Sequence, residues 1–172
     1  MAAEGKTVDG FRFIPPGLKK FIKGEIPETP FSGKIPWTPL KRPIEEATFS
    51  LMTSAGISMK KDRPFDMERE KREPTWGDPS FREISRDATE ADILVNHLHI
   101  NTDYIKEDIN VILPLMRFKE FEKKGIIGKL APTSYSFYGF QRNPTILLEQ
   151  SMPKVARKMK EEGVEAILLT PA

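Results

Sequence analysis

The chain has 172 residues, 27 of them basic and 25 acidic, and it contains no cysteine. That length suits one medium domain with its own core, and a net charge of +2 makes no general case for nucleic acid or an anionic membrane as partner. Disulfides, thiolate zinc sites and cysteine nucleophiles are excluded from these residues, and two histidines, His97 and His99, are too few for a three-histidine metal centre or a metal-dependent hydrolase.

No apolar run approaches the roughly 18 residues of a membrane span, and residues 1–6 lack the charged-then-apolar layout of a signal peptide. The expectation is a soluble, cytoplasmic protein. Ten of the 15 prolines fall in residues 1–79, seven of them between Ile14 and Pro43. Proline removes a donor and biases its predecessor to extended backbone, so residues 1–43 read as a proline-rich extended arm, with Gly17 to Lys23 as a short helical turn. The arm carries Phe11, Phe13, Leu18, Phe21, Phe31, Trp37 and Leu40, which is too apolar for a solvated tail. It is expected to cross this domain or a partner subunit.

Residues 44–172 read as an α/β domain. Phe49, Leu51 and Thr53 alternate along a strand from Ala47 to Ser54, which Gly56 ends. Met59 to Glu73 holds six basic and five acidic side chains, a solvated loop or exposed helix. Phe81 to Ser85 and Ile93 to His99 are further strand candidates. Asp108 or Asn110 can cap a helix with Pro114 in its first turn, Leu115, Phe118 and Phe121 or Glu122 inward, and Gly125 as its stop. A second helix runs from about Ser151 to Glu162, with Met152, Val155, Ala156 and Met159 on one stripe. One glycine later, Val164 to Thr170 is a near-continuous apolar run of the kind found in parallel strands buried on both faces. The pattern predicts a three-layer α/β domain with a mainly parallel sheet.

Strand ends are where ligand sites gather in such sheets, which makes the His97–His99 pair a site candidate; a hydrogen-bonded structural pair is the plainer alternative. Thr53 to Gly56 offers a turn after a strand, and Gly125 to Gly128 lacks nucleotide-loop spacing. The aromatic run Tyr135 to Phe140 fits a pocket wall or a core and turn. Ser136 has no flanking glycines to form a nucleophile elbow.

From Trp37 onward, the order of short motifs resembles the selenoprotein B family of glycine, sarcosine, betaine and D-proline reductases. The matching pieces are Thr53–Gly56, Pro64–Asp66, Gly77–Arg82, His97–Asn101, Asp108–Val111 with Pro114 and Arg117, Gly125–Ala131, Ser136–Gly139 and Gly163–Pro171. The resemblance implies reductive cleavage of a C–N bond in an amino acid or amine. A selenolate or thiolate attacks the carbon bearing nitrogen, a thiol resolves the adduct, and a pyruvoyl group on a partner subunit activates the amine. Selenolate is ionised at neutral pH and soft, as a low-pKa thiolate is. It also implies that His97 and His99 serve catalysis and that Asn101, Tyr135, Ser136 and Tyr138 bind substrate. Within these residues no cofactor or metal is expected. The family's redox residue lies in a loop after the final strand, so selenocysteine is expected just after Ala172, with the 172 residues a truncated and inactive part of an oligomeric enzyme. The alternative expectation is a non-catalytic assembly subunit that docks a partner through its arm.

Overall fold

The computed structural model describes residues 9–25, 38–73, 75–97 and 101–172, and the chain divides into two units after Trp37. In the first unit, Asp9 accepts a hydrogen bond from Phe11 N and starts a tight turn over Gly10–Phe13. Helix α1 (Pro16–Glu25) follows, with proline at a first position where its missing N–H is not needed. It brackets the helical turn expected over residues 17–23. The expected extended path of residues 26–37 lies outside the described residues.

The second unit is built on β1 (Thr48–Thr53), whose side chains alternate between two cores. Leu51 is fully buried among Ile84, Leu113, Leu115 and Leu130, while Met52 packs with Tyr135, Val155 and Met159 on the opposite face. After a turn come β2 (Ile57–Met59), α2 (Met67–Arg72), β3 (Phe81–Ser85) and β4 (Ile93–Val95). Helices α3 (Asp103–Glu107) and α4 (Leu115–Lys123), strands β5 (Lys129–Leu130) and β6 (Thr133–Phe137), α5 (Met152–Glu161) and β7 (Ala166–Thr170) complete the order.

Strands β5, β6 and β7 all pair in parallel with β1, and β3 pairs antiparallel with β6. In a parallel strand, alternate residues address opposite edges. The Phe49 carbonyl accepts from Ala131 N, whereas the Thr48 carbonyl accepts from Glu165 N. Strands β5 and β6 therefore succeed one another along one edge of β1, and β7 occupies the other. A separate antiparallel pair joins β2 to β4. With α4 over one face and α5 over the other, the sheet is the mostly parallel α/β architecture that the pattern predicts.

The helix boundaries follow their caps. Asp108 accepts from Asn110 N to start a tight turn, and Asn110 in turn accepts from Met116 N, satisfying an orphan donor at the start of α4. Glu122, near the end of α4, pairs with Arg86, and both bond the backbone of Leu130. Thus the helix is pinned to the β5–β6 segment.

Three expectations need correction. The strand read over Ile93–His99 ends at Val95; Asn96 N makes one more bond to the carbonyl of Gly56, whose left-handed turn ends the partner strand, and the Asn96 side chain donates to Ser58 Oγ at 2.9 Å. The final strand is not buried on both faces: Ile167 is 46% exposed and Leu169 65%. The α5 stripe of Met152, Val155 and Met159 sits over Met52 and Tyr135, so it covers β1 and β6 and stops short of β7. Ala156, placed on that stripe by its spacing, is exposed.

Candidate active site at the strand ends

Strands β1, β6 and β7 run in the same direction, and their carboxyl ends meet. The turn after β1 binds both neighbours: Ser54 N donates to the Thr170 carbonyl at 3.2 Å, and Gly56 N donates to the Phe137 carbonyl at 3.0 Å. Gly139 N returns a bond to the Ser54 carbonyl, and Ala172 N donates to Ser54 Oγ at 3.0 Å. Three chain segments thus converge on Ser54, at the position where open parallel sheets bind ligands.

Tyr138 and His97 meet here. The Tyr138 ring is buried, and the half-buried imidazole of His97 lies against it, with ring centroids 5.1 Å apart and planes 32° from parallel. Such an offset aromatic contact contributes about 0.5–1.5 kcal/mol beyond its buried area. The phenol of Tyr138 donates to Oε1 of Glu70, which is itself 3% exposed. Gly56 makes the approach possible. Its φ of +62° is left-handed, and a Cβ there would stand 2.7 Å from the Asn96 carbonyl oxygen and 2.8 Å from the Tyr138 ring.

The loops around this group are tied by Arg82. Its Nε donates to the Arg63 carbonyl, one Nη to Ser80 Oγ and the Phe81 carbonyl, and the other Nη to the Pro64 carbonyl. Its guanidinium lies 4.1 Å above the Phe65 ring and 3.8 Å from Asp78, and burial lowers its pKa. Asp78 accepts from Asp66 N and Ser80 N. The Pro64–Asp66 and Gly77–Arg82 motifs are therefore one knot, and that knot carries α2 and Glu70 toward Tyr138.

The remaining site candidates go elsewhere. Tyr135 points to the opposite face beneath α5, 6.2 Å from the Phe81 ring, and its buried hydroxyl has no hydrogen-bond partner. Burial, then the nearby Glu162 and Glu83, push its pKa up. Ser136 is fully buried and accepts from Ile57 N at 2.9 Å, which fixes the start of β2. Asn101 is exposed and accepts from Asp103 N at the start of α3. His99 lies outside the described residues.

Glu70 is the residue that sequence reasoning missed. It lies in the mixed-charge stretch Met59–Glu73, and its partner is 68 positions away. No local signal separates it from its solvated neighbours. Among the described residues, no group of three His, Cys, Asp or Glu side chains could hold a metal ion, and no helix is long and apolar enough to cross a membrane.

The fold and this edge define an α/β domain with its candidate site at the carboxyl ends of parallel strands. Residues 20–172 match the profile of the glycine/sarcosine/betaine reductase selenoprotein B family, and the chain belongs to that family. It is 36% identical over 134 residues to the D-proline reductase subunit gamma of Acetoanaerobium sticklandii, covering 78% of this chain and 52% of that protein. It is 29% identical over 155 residues to the glycine reductase complex component B subunit gamma of Carboxydothermus hydrogenoformans, covering 87% of this chain and 34% of the other. The chain thus spans about half the length, or less, of these curated relatives. No solved structure matches it significantly.

Proposed function

We propose that the chain forms part of an oxidoreductase that cleaves a C–N bond in a small amino acid or amine, with the attacking selenolate or thiolate carried by residues beyond position 172. The observation that carries this reading is the convergence of Ser54, Gly56, His97, Tyr138 and Ala172 at one edge of the sheet, in a protein of this family. When a soft nucleophile displaces the amino nitrogen, the bonding electrons leave with nitrogen, which then needs a proton. A half-buried imidazole at the strand ends is suited to deliver it. A pyruvoyl group on a partner subunit would activate the amine, in an oligomeric, cytoplasmic complex. Both relatives are named as subunits, which supports partner subunits here.

The exposed β7 edge supports a site shared with further polypeptide. Ile167 is in register with Ser50 and Leu169 with Met52, so both lie on the face that α5 covers at β1. Strand β6 reaches β7 through α5 by crossing β1. Crossovers of this type are right-handed, so another helix–strand unit continuing outward would lay its helix on the same face. That helix would cover Ile167, Leu169 and the apolar groove of about 550 Å³ lined by Leu147, Leu148, Met152 and Leu169. Its strand would take the free edge of β7, and the loop leaving β7 would pass Ser54.

The test is to read the gene beyond the codon for Ala172 and to assay its longest product, with co-purifying subunits, for thiol-dependent cleavage of glycine, sarcosine, betaine and D-proline. C–N cleavage of any one of these, lost when the downstream selenocysteine or cysteine is replaced by serine, supports the reading. A gene without such a residue, or an assembled complex that cleaves none of the four, overturns it.

A further inference from the structure

We infer that Glu70 and Tyr138 form a positioning pair that holds the His97 imidazole at the strand ends; this rests on the reductase reading for its catalytic consequence but not for its geometry. Three observations converge. Tyr138 donates to Glu70 although both are nearly inaccessible, so a phenol and a carboxylate 68 positions apart have been brought together in the interior. The His97 ring lies on the face of that same tyrosine. Finally, the phenol ring is caged: Gly56 backs it closely, the Phe65 ring stands 6.4 Å away, and the Tyr138 carbonyl accepts from Gln141 Nε2 at 3.0 Å.

A tyrosine ring fixed by packing alone retains rotation about its Cα–Cβ and Cβ–Cγ bonds only at the expense of neighbours. A hydrogen bond at its far end pins the phenol oxygen and so the direction of the ring, while the Gly56 and Phe65 contacts hold its plane about the Cβ–Cγ axis, on which that oxygen lies. Because His97 rests on that ring, losing the Glu70 contact frees the ring to swing and shifts the surface against which the imidazole is stacked. The Arg82 knot completes the device, since it anchors the loop that delivers Glu70: four of the five guanidinium N–H donors are bonded to protein acceptors, and the group pairs with Asp78 at 3.8 Å. Glu70 thus acts through Tyr138 on His97, as a positioning residue with no contact to a substrate.

The variants Tyr138→Phe, Glu70→Ala and Glu70→Gln separate this role from general packing. Glutamine keeps an acceptor oxygen for the phenol; phenylalanine and alanine break the bond from either side. On the 172-residue chain, the His97 imidazole protons are followed by NMR, with the line assigned through His99→Gln. Tyr138→Phe and Glu70→Ala are expected to shift or broaden that line, and Glu70→Gln to restore it. In the assembled reductase, the first two should lower kcat by about 100-fold with KM nearly unchanged, as misplacement of a reacting group does, and Glu70→Gln should retain most activity.

An unshifted His97 line in Tyr138→Phe and Glu70→Ala overturns the inference. So does a kcat that falls only in proportion to the folded fraction. If the assembled wild-type complex cleaves no substrate, the reductase reading fails alone, and the NMR series still decides whether the pair positions His97.

Discussion

Replacing Gly56 by alanine should destabilise the domain by about 2–5 kcal/mol, against about 1–2 kcal/mol for the same change at Gly163. The two glycines share one backbone requirement, with φ of +62° and +72°, and an L-residue in that region costs about 1–2 kcal/mol. Gly163 stands just past the end of α5, where an added Cβ meets nothing within 4 Å, so that conformational term is the whole effect. At Gly56 the Cβ would overlap the Asn96 carbonyl oxygen and the Tyr138 ring, at 2.7 and 2.8 Å. Neither can retreat freely. Asn96 N donates to the Gly56 carbonyl at 2.9 Å, and Tyr138 is bonded to Glu70. Overpacking of that kind adds about 1–3 kcal/mol.

Urea unfolding of both variants beside the wild type measures the two values on one scale. Near-UV circular dichroism adds a local readout, because displacement of Tyr138 changes the tyrosine signal in Gly56→Ala and leaves it alone in Gly163→Ala. Equal losses in the two variants, with identical near-UV spectra, would refute the close packing of the β1 turn against Tyr138.

Tyr135→Phe removes a buried hydroxyl that has no partner and should stabilise the protein by about 1 kcal/mol, raising Tm by roughly 2–4 °C. Because burial and then Glu162 raise the Tyr135 pKa in the fold, the folded state resists its ionisation, and stability is unaffected by this group below the ordinary value near pH 10 and falls as pH rises above it. Denaturant melts of Tyr135→Phe should show a weaker alkaline loss than the wild type. The hydrogen bond from Arg86 holds Glu122 below the usual carboxylate range. That contribution is present above about pH 4.3 and lost as pH falls through the folded value, so acid unfolding of Glu122→Gln should be less steep there, from a stability lower by about 1–2 kcal/mol at neutral pH. Leu169→Lys, on the uncovered edge strand, should change the unfolding free energy from urea melts negligibly, by under about 0.5 kcal/mol, while raising the concentration at which the chain begins to aggregate; light scattering against concentration reads the second effect.

Elements whose signals are local were legible. Alternation of Phe49, Leu51 and Thr53 specifies β1 because its two faces meet different cores, and Phe81–Ser85 has the bounds expected of it. Pro114, Gly125 and Gly163 mark helix ends by backbone requirements that need no tertiary context. What failed depends on partners distant in sequence. The run Ala166–Thr170 reads the same whether a strand lies mid-sheet or at its edge, since the difference is made by what packs upon it. Tyr135, Ser136 and Tyr138 stand together in one short run of sequence, although strand period two sends Tyr135 to the α5 face. Only the recognition that Thr133–Phe137 is a strand supplies that distinction, and its Thr-Ser-Tyr-Ser-Phe sequence lacks the aliphatic signature that would mark it. Glu70 was hidden among charges because burial came from a tyrosine on another element.

The motifs shared with the family acquire a physical reading from this geometry. Thr53–Gly56, Pro64–Asp66, Gly77–Arg82 and Ser136–Gly139 are dispersed in sequence, yet all contribute to the carboxyl end of the sheet or to the knot that braces it. The arginine of the Gly77–Arg82 motif, by residue type the obvious partner for a substrate carboxylate, directs its donors to Arg63, Pro64, Ser80, Phe81 and Asp78. A guanidinium so committed would have to give up bonds to the Arg63, Pro64 and Phe81 carbonyls and the Ser80 hydroxyl to bind a ligand, each worth about 0.5–1.5 kcal/mol. Arg82 is thereby committed to the loops that brace the candidate site. In the positioning proposed above, its effect reaches the strand ends through α2, Glu70 and the Tyr138 ring, so the stiffness of a loop knot bears on the placement of one imidazole.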